Sequence, residues 1–157
     1  MKKISIKSKK LIETTTKVLS DGGLIVFPTE TCYGAGVDAT NSRSVKKLLR
    51  YKDRREGNPI SIAVTNKEME AKYAEINETA DNIYDNYLPG PITVISKSKG
   101  TLAPGLVSEY STIGIRIPEY PRFLEIIEKF GKPITSTSAN VAYRSNPYSI
   151  DQLLENL

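Results

Sequence analysis

The sequence predicts an α/β domain with a partly parallel sheet. Short apolar runs alternate along the chain with segments whose apolar residues recur every three or four positions. This is the pattern of strands alternating with amphipathic helices. The chain has 157 residues, of which 39% are hydrophobic and 25% charged, and these values are typical of one globular domain. We therefore expect a single domain over residues 1–157.

The first half of the chain contains five predicted elements. In order they are a short strand at 4–6, a helix over 10–19, a strand over 24–27, a helix from 41 or 42 to about 50, and a strand over 60–64. The first helix should end at Gly22 or Gly23. Pro28 should end the strand that follows, because proline cannot donate to a sheet. Asn41 or Ser42 is a suitable N-cap for the second helix.

The second half alternates in the same way. The predicted elements are helices over 66–75 and from 77 to the proline at 89, strands over 92–95 and 113–117, a helix from 121 to about 130, a strand over 133–135 and a short helix from 149. Asn66 and Asn77 are suitable N-caps. Pro121 suits the first position of its helix, and Gly131 should end that helix.

A polar loop directly follows the second predicted strand, in residues 22–40, which read GGLIVFPTETCYGAGVDAT. Open α/β sheets place ligands at such strand ends. The hydroxyl, carboxylate and thiol groups of residues 29–33 could meet a ligand there, and Gly34 and Gly36 would let the backbone approach it closely. The alternative is an ordinary strand exit in which the threonines satisfy neighbouring backbone groups.

Three further groups of polar residues are candidate binding residues. Lys52, Arg54 and Arg55 suit phosphate oxygens, although a solvent-facing basic helix end would look the same. Residues 136–140 place hydroxyl and amide groups after a buried strand, with a self-satisfied turn as the alternative. Arg116 interrupts an apolar strand and needs a carboxylate partner, either from a substrate or from the protein. We expect the substrate, and we expect Lys52 to face solvent.

The composition excludes several classes of site. The chain has no histidine, so Ser-His-Asp, Cys-His and His-metal mechanisms are not available to it. Cys32 is the single cysteine, which excludes an internal disulfide and a multi-cysteine zinc site. The formal net charge of +4 favours an anionic partner such as a nucleotide or RNA, although mildly basic domains are common. No apolar run approaches the length of a membrane span, and the basic N-terminus lacks the apolar region of a secretory signal, so we expect a cytoplasmic protein.

Four blocks of sequence resemble, in the same order, the signatures of the YrdC-like family, the L-threonylcarbamoyladenylate synthases. The blocks are FPTETCYGAGVDAT from Phe27, KDRREGNPISI from Lys52, STIGIRIP from Ser111 and TSAN from Thr137. The resemblance implies a twisted mixed sheet with flanking helices around an open cleft. It also assigns roles to individual residues. Those implied to bind L-threonine are Thr31, Arg116 and Ser136, and those implied to bind ATP are Lys52, Arg54, Asn58, Thr112, Ser138 and Asn140. Lys52 and Arg54 would be the catalytic residues.

The activity that the resemblance implies joins L-threonine, bicarbonate and ATP into threonylcarbamoyl-AMP and pyrophosphate. Mg²⁺ would accompany ATP, and we find no acidic cluster dedicated to a metal. The product would pass to threonylcarbamoyl-transferase proteins for the modification of adenosine 37 in tRNAs that read ANN codons, so tRNA or RNA is a further expected partner. A membrane is not.

The chain departs from the family pattern in two places. Ala63 stands where the family often has a histidine that contacts substrate. The glycine-rich segment and strand that usually follow the SAN block do not follow it here, so we expect a truncated chain, a shortened family member or a homologue that has lost the activity. The main alternative function is a non-catalytic YrdC-like module that binds RNA or nucleotide. A domain of the hydrogenase-maturation type is a third interpretation, against which the short chain argues.

Overall fold

Two β-sheets and the helices around them form the part of the chain that the computed structural model describes, residues 2–53 and 58–155. The strands are β1 (Ile25–Pro28), β2 (Tyr33–Gly36), β3 (Ile62–Ala63), β4 (Val94–Lys97), β5 (Thr112–Arg116), β6 (Ile134–Thr135) and β7 (Thr137–Ser138). The helices are α1 (Leu11–Ser20), α2 (Ser42–Tyr51), α3 (Lys67–Glu70), α4 (Glu78–Tyr87), α5 (Pro121–Phe130) and α6 (Ile150–Glu155). The predicted mixed α/β class is confirmed.

One short segment of the chain belongs to both sheets. The three-stranded sheet has the order β1-β2-β7 and is antiparallel, and the four-stranded sheet has the order β4-β5-β3-β6. In the latter, β3 and β5 run parallel and the other pairs are antiparallel, so it is the mixed sheet that we expected. Strands β6 and β7 are separated only by Ser136, whose N–H donates to the carbonyl of Ser61 at 2.7 Å. Ser136 therefore lies where the two sheets meet.

Helix caps form where the sequence predicts them. The Asn41 side chain accepts from the backbone N–H groups of Arg43 and Ser44, and Asn66 and Asn77 cap α3 and α4 in the same way. These short polar side chains satisfy N–H groups that have no partner within the helix. Gly131 ends α5 with a φ of 73°, in the left-handed region that glycine adopts without steric cost.

Two predicted elements are wrong. Residues 4–6 form no strand, because the backbone there bends into local turns, in which Ser8 N–H donates to the Ser5 carbonyl. The helix predicted over 66–75 ends at Glu70. After a turn at residues 71–73, the backbone pairs with the end of β4 and the residues after it, and Glu75 N–H donates to the Lys97 carbonyl at 2.9 Å. Strand pairing with a distant segment thus replaces helical hydrogen bonds.

Other boundaries differ by a few residues, and two strands were missed. The strand expected over 60–64 is restricted to β3, and the strand expected over 92–95 lies at 94–97. Strands β2 and β7 were not predicted because β2 is glycine-rich and β7 is short and polar. A Cβ added at Gly36 would lie 2.6 Å from Ile134 Cγ2, so glycine is required for the close approach of β2 to β6.

The four-stranded sheet separates two apolar clusters. Ile62, Ile113 and Ile115 belong to the larger cluster, while Ala63 belongs to a second cluster with residues of α1 and α5. Phe27 and Phe123 stack in that second cluster with their ring centroids 3.6 Å apart. Because side chains alternate along a strand, the residues of β5 that do not face the larger cluster point the other way. None of the described helices is long and apolar enough to cross a membrane.

A buried carboxyl group lies in the larger core, on α3. Glu70 is 0% exposed, and neither of its side-chain oxygens has a hydrogen-bond partner in the part of the chain that is described. Burial raises the pKa of Glu70 from 4.5 to about 7, by more than the nearby Tyr84 hydroxyl and Lys67 ammonium lower it. Glu70 therefore loses its proton in the folded protein near neutral pH.

We expect Glu70→Gln to stabilise the protein at alkaline pH. The folded state keeps a proton that the unfolded chain has released from about pH 4.5, so wild-type stability falls as the pH rises toward 7 and stays low above it. Glutamine does not titrate. The free energy of unfolding of the variant minus that of wild type should therefore increase by up to about 3 kcal/mol from pH 5 to pH 8. Urea unfolding at both pH values measures this. Glu68→Gln, an exposed change on the same helix, is the control. An equal effect of Glu70→Gln at the two pH values would contradict the assignment.

Candidate anion-binding site

A four-residue loop, residues 29–32, joins β1 to β2 and is closed by its own hydrogen bonds. The Thr29 hydroxyl donates to the Cys32 carbonyl at 2.8 Å and accepts from the N–H groups of Thr31 and Cys32. The self-satisfied turn that the sequence left open is therefore present at Thr29. Thr31 is exposed, and its hydroxyl lies 3.0 Å from that of Thr29. The turn holds Thr31 outward, where a ligand could reach it.

Pairing of β2 with β7 brings this loop beside the SAN block. Gly34 lies opposite Ser138, and Ala139 N–H donates to the Tyr33 carbonyl at 2.8 Å. The predicted groups at 29–33 and 136–140 are therefore neighbours in space, as the ligand-site interpretation requires.

Lys52 joins the end of α2 to the SAN block. Its ammonium donates to the Ser138 carbonyl at 2.6 Å and to Asn140 Oδ1 at 3.1 Å, and it lies 3.4 Å from the Ser138 hydroxyl. Lys52 is only 2% exposed, so the expectation that it faces solvent is wrong. The segment after β7 covers it, since Ala142 N–H also donates to the Lys52 carbonyl. The structure thus brings together Lys52, Ser138 and Asn140, three of the predicted ATP-binding residues.

The other predicted nucleotide-binding residues are Arg54, Asn58 and Thr112. Arg54 lies outside the described residues, as does Arg55, and Asn58 is exposed. The Thr112 hydroxyl lies 2.7 Å from that of Ser108, at the start of β5. Thr112 and Arg116 share one face of β5 and are about 13 Å apart along the strand. A ligand contacting both would be longer than an amino acid alone.

Arg116 has a protein partner. Its Nη2 donates to Oε1 of Glu30, and the two side chains are 14% and 15% exposed. We expected a substrate carboxylate as the partner, but in this structure the partner is a protein carboxylate, the alternative that the sequence left open. Ala63 lies beside Arg116 in the register of β3 and β5, so the position where the family often has a histidine adjoins this pair.

Both cationic groups affect the pKa of the Cys32 thiol. Burial raises the pKa of its thiol, while the positive charges of Arg116 and Lys52 lower it by a smaller amount. Arg116 contacts Glu30 of this loop, and Lys52 contacts Ser138, which pairs with the strand that follows the loop. Two partly or fully buried cations beside a turn rich in hydroxyl groups can bind an anionic ligand at two points.

The sequence matches a known family over most of its length. The Sua5–YciO–YrdC family profile, described as "Telomere recombination", matches residues 17–157. The chain belongs to this family. A Methanocaldococcus jannaschii protein, assigned provisionally as a threonylcarbamoyl-AMP synthase, is 37% identical over 147 residues, which are 92% of this chain and 68% of that protein. The threonylcarbamoyl-AMP synthase of Bacillus subtilis is 30% identical over 148 residues, which are 93% of this chain and 43% of that protein.

The fold is also similar to that of a solved family member. The crystal structure of Pyrococcus abyssi Sua5 complexed with L-threonine matches with a TM-score of 0.89 and 28% identity, covering 99% of this chain and 45% of that one. This YrdC-family chain thus spans less than half the length of the B. subtilis and P. abyssi relatives. The mixed α/β fold with flanking helices is that of the family.

Sequence reasoning missed one residue of the site. Glu30 was noted as a polar group of the loop but not as the partner of Arg116, from which it is separated by 86 residues. A usable signal existed, because an arginine inside an apolar strand requires a nearby carboxylate and the PTET loop contains one. The roles of Thr31, Arg116, Ser136 and the nucleotide residues stay predictions.

We expect Lys52→Met to destabilise the protein, contrary to what a solvent-facing lysine would do. Methionine keeps the aliphatic stem but leaves the Ser138 carbonyl and Asn140 Oδ1 without their donor, at a cost of about 1–3 kcal/mol. Urea unfolding measures the change. Lys46→Met, on the exposed face of the same helix, is the matched control and should be nearly neutral. If both variants were as stable as wild type, the bonds of Lys52 would have no structural role.

Proposed function

We propose that this chain is an L-threonylcarbamoyladenylate synthase, which forms threonylcarbamoyl-AMP and pyrophosphate from L-threonine, bicarbonate and ATP. The observation that carries the proposal is the placement of Arg116 and Lys52 beside one loop rich in hydroxyl groups, Arg116 through Glu30 of the loop and Lys52 through Ser138, which pairs with the strand after it. The fold in which they lie is similar to that of a Sua5 protein that binds L-threonine.

Each cationic group would bind a different substrate. Arg116 would bind the carboxylate of threonine with the help of Thr31 and Ser136, because a guanidinium matches a carboxylate with two parallel hydrogen bonds. The phosphates of ATP would lie at the other group, which comprises Lys52, Arg54, Asn58, Thr112, Ser138 and Asn140. Lys52 and Arg54 would stabilise the charge that develops on the phosphates.

The substrates themselves would supply the nucleophile, which suits a chain without histidine. The threonine ammonium group first releases a proton, and the free amine then adds to CO2 with loss of a second proton, or to bicarbonate with loss of water, and gives an N-carboxylate. An oxygen of that carboxylate attacks the α-phosphorus of ATP, and the bond to pyrophosphate breaks. The protein would contribute by positioning the two reactants and by holding the phosphate charge.

Mg²⁺ would accompany ATP and neutralise part of the phosphate charge. No three His, Cys, Asp or Glu side chains come together as a metal site within residues 2–53 and 58–155. We infer that the phosphates provide most of the ligands of the ion.

The product would serve tRNA modification. Threonylcarbamoyl-AMP would pass to threonylcarbamoyl-transferase proteins for the modification of adenosine 37 in tRNAs that read ANN codons. We infer that this role is carried out in the cytoplasm, and the net charge of +4 is compatible with transient contact with tRNA or other RNA.

A non-catalytic module that binds RNA or nucleotide is the second candidate. Lys52 already donates to protein acceptors, which is compatible with a protein that only binds its ligand. The deciding assay combines protein, ATP, Mg²⁺, bicarbonate and labelled threonine, and measures threonylcarbamoyl-AMP and pyrophosphate. Pyrophosphate that forms only when threonine is present supports the synthase, while RNA binding without either product supports the module.

A synthase should bind threonine more tightly when ATP is present. Both ligands would order the same loop, so each should raise the affinity for the other. Calorimetry with and without ATP measures this coupling. Serine, which lacks one methyl group, should bind more weakly by about 1–3 kcal/mol at most. Absence of a threonine signal at millimolar ligand would speak for the module.

Arg116→Lys should weaken threonine binding and leave ATP binding unchanged. Lysine keeps the positive charge and can still pair with Glu30, so the fold should persist, but it lacks the two-point fork. We expect the dissociation constant for threonine to rise roughly 10- to 100-fold. Calorimetry with each ligand tests this, with the exposed Arg122→Lys as control. Equal losses for threonine and ATP would argue against a specific contact.

A further inference from the structure

The ion pair between Glu30 and Arg116 is incompletely satisfied. Among the described residues, the guanidinium donates through Nη2 to Oε1 of the carboxylate. Oε2 of Glu30 and Nε of Arg116 are both buried, and neither has a hydrogen-bond partner among the described residues. Each such atom has lost its contact with water without gaining another in return.

A purely structural arginine–carboxylate pair is usually better satisfied. In the two-point geometry, two guanidinium N–H groups donate to the two carboxylate oxygens. A bond from Arg116 Nε to Glu30 Oε2 would complete that geometry and satisfy both atoms. A donor and an acceptor are thus left over within one pair, on side chains that keep some exposure, 14% and 15%. The unused donor suits a further carboxylate, and the unused acceptor suits a further cation.

Within residues 2–53 and 58–155, the surrounding groups do not fill these positions. Thr31 and Thr29 bond to one another and to their own loop. Lys52, the other cation beside this loop, donates to Ser138 and Asn140. Ala63, in register with Arg116, has no polar side-chain atom.

The charge balance favours a zwitterion as the ligand. A carboxylate alone would add a second negative charge beside Glu30, and an amine alone would add a second positive charge beside Arg116, which is costly for groups so little exposed. An α-amino acid brings both charges. Its carboxylate can pair with Arg116 and its ammonium group with Glu30, so that one incomplete ion pair becomes two.

We propose that Glu30 binds the ammonium group of the amino-acid substrate and so selects a zwitterionic α-amino acid over the matching carboxylic acid or amine. This rests on the proposed function, because it deepens the threonine site. Glu30 thereby has two partners in turn, Arg116 in the free protein and the ammonium group in the complex.

The first test needs only the wild-type protein. Calorimetry compares L-threonine with 3-hydroxybutanoate, which lacks the amino group, and with threoninol, which lacks the carboxylate. We expect each analogue to bind roughly 10- to 100-fold more weakly than threonine, since each loses one charged hydrogen bond and leaves one protein charge without its partner. Equal affinities for threonine and 3-hydroxybutanoate would overturn the inference, even if no variant of Glu30 folded.

The second test is Glu30→Gln, which keeps the shape and removes the charge. Threonine should bind roughly 10- to 100-fold more weakly, whereas 3-hydroxybutanoate should bind as well as before or more tightly, because its carboxylate no longer competes with Glu30 for Arg116. Glu128→Gln, an equal change of charge at an exposed position of α5, is the control and should alter neither affinity.

The outcomes separate the inference from the proposed function. If Glu30→Gln weakens both ligands equally, Glu30 only holds Arg116 in place, and the inference fails while the threonine site stands. If wild-type protein binds no threonine, the proposed function fails and the inference with it. Opposite changes for the two ligands support the inference, because a merely structural role cannot produce them.

Discussion

The structure depends on the short segment from Ile134 to Ser138, which pairs with both sheets. Its first part lies against β3 and its last part against β2, with Ser136 between them. The two sheets are thereby fixed to each other at one place, and the hairpin loop at 29–32 comes to lie beside the SAN block. Gly36 permits this arrangement because a side chain there would collide with Ile134.

Two charged contacts reinforce the same junction. Lys52, at the end of α2, donates to Ser138 and Asn140 just beyond the segment. Arg116, on β5 of the larger sheet, pairs with Glu30 in the loop of the smaller one. Both cations are therefore held where the sheets meet. The effective dielectric constant is lower there than in water, so they attract an anionic ligand more strongly than surface charges would.

Interactions between residues close in the chain could largely be predicted. Asn41, Asn66 and Asn77 cap their helices and Gly131 ends α5, because each depends on backbone groups only a few residues away. The strand predicted at 4–6 failed because a strand exists only when a distant segment pairs with it. For the same reason β7, with its hydroxyl side chains, could be recognised only from its partner β2.

The sequence by itself determined the α/β class, the family signatures and the need of Arg116 for a carboxylate, since these follow from periodicity, residue type and the cost of burying an unpaired charge. Only the tertiary structure decided that the carboxylate is Glu30, 86 residues away, and that Lys52 is buried against Asn140, 88 residues away. Such partners depend on how the sheets pack. The pattern of residues along one strand or helix shows that a charge needs a partner, but it does not show which distant segment will bring that partner.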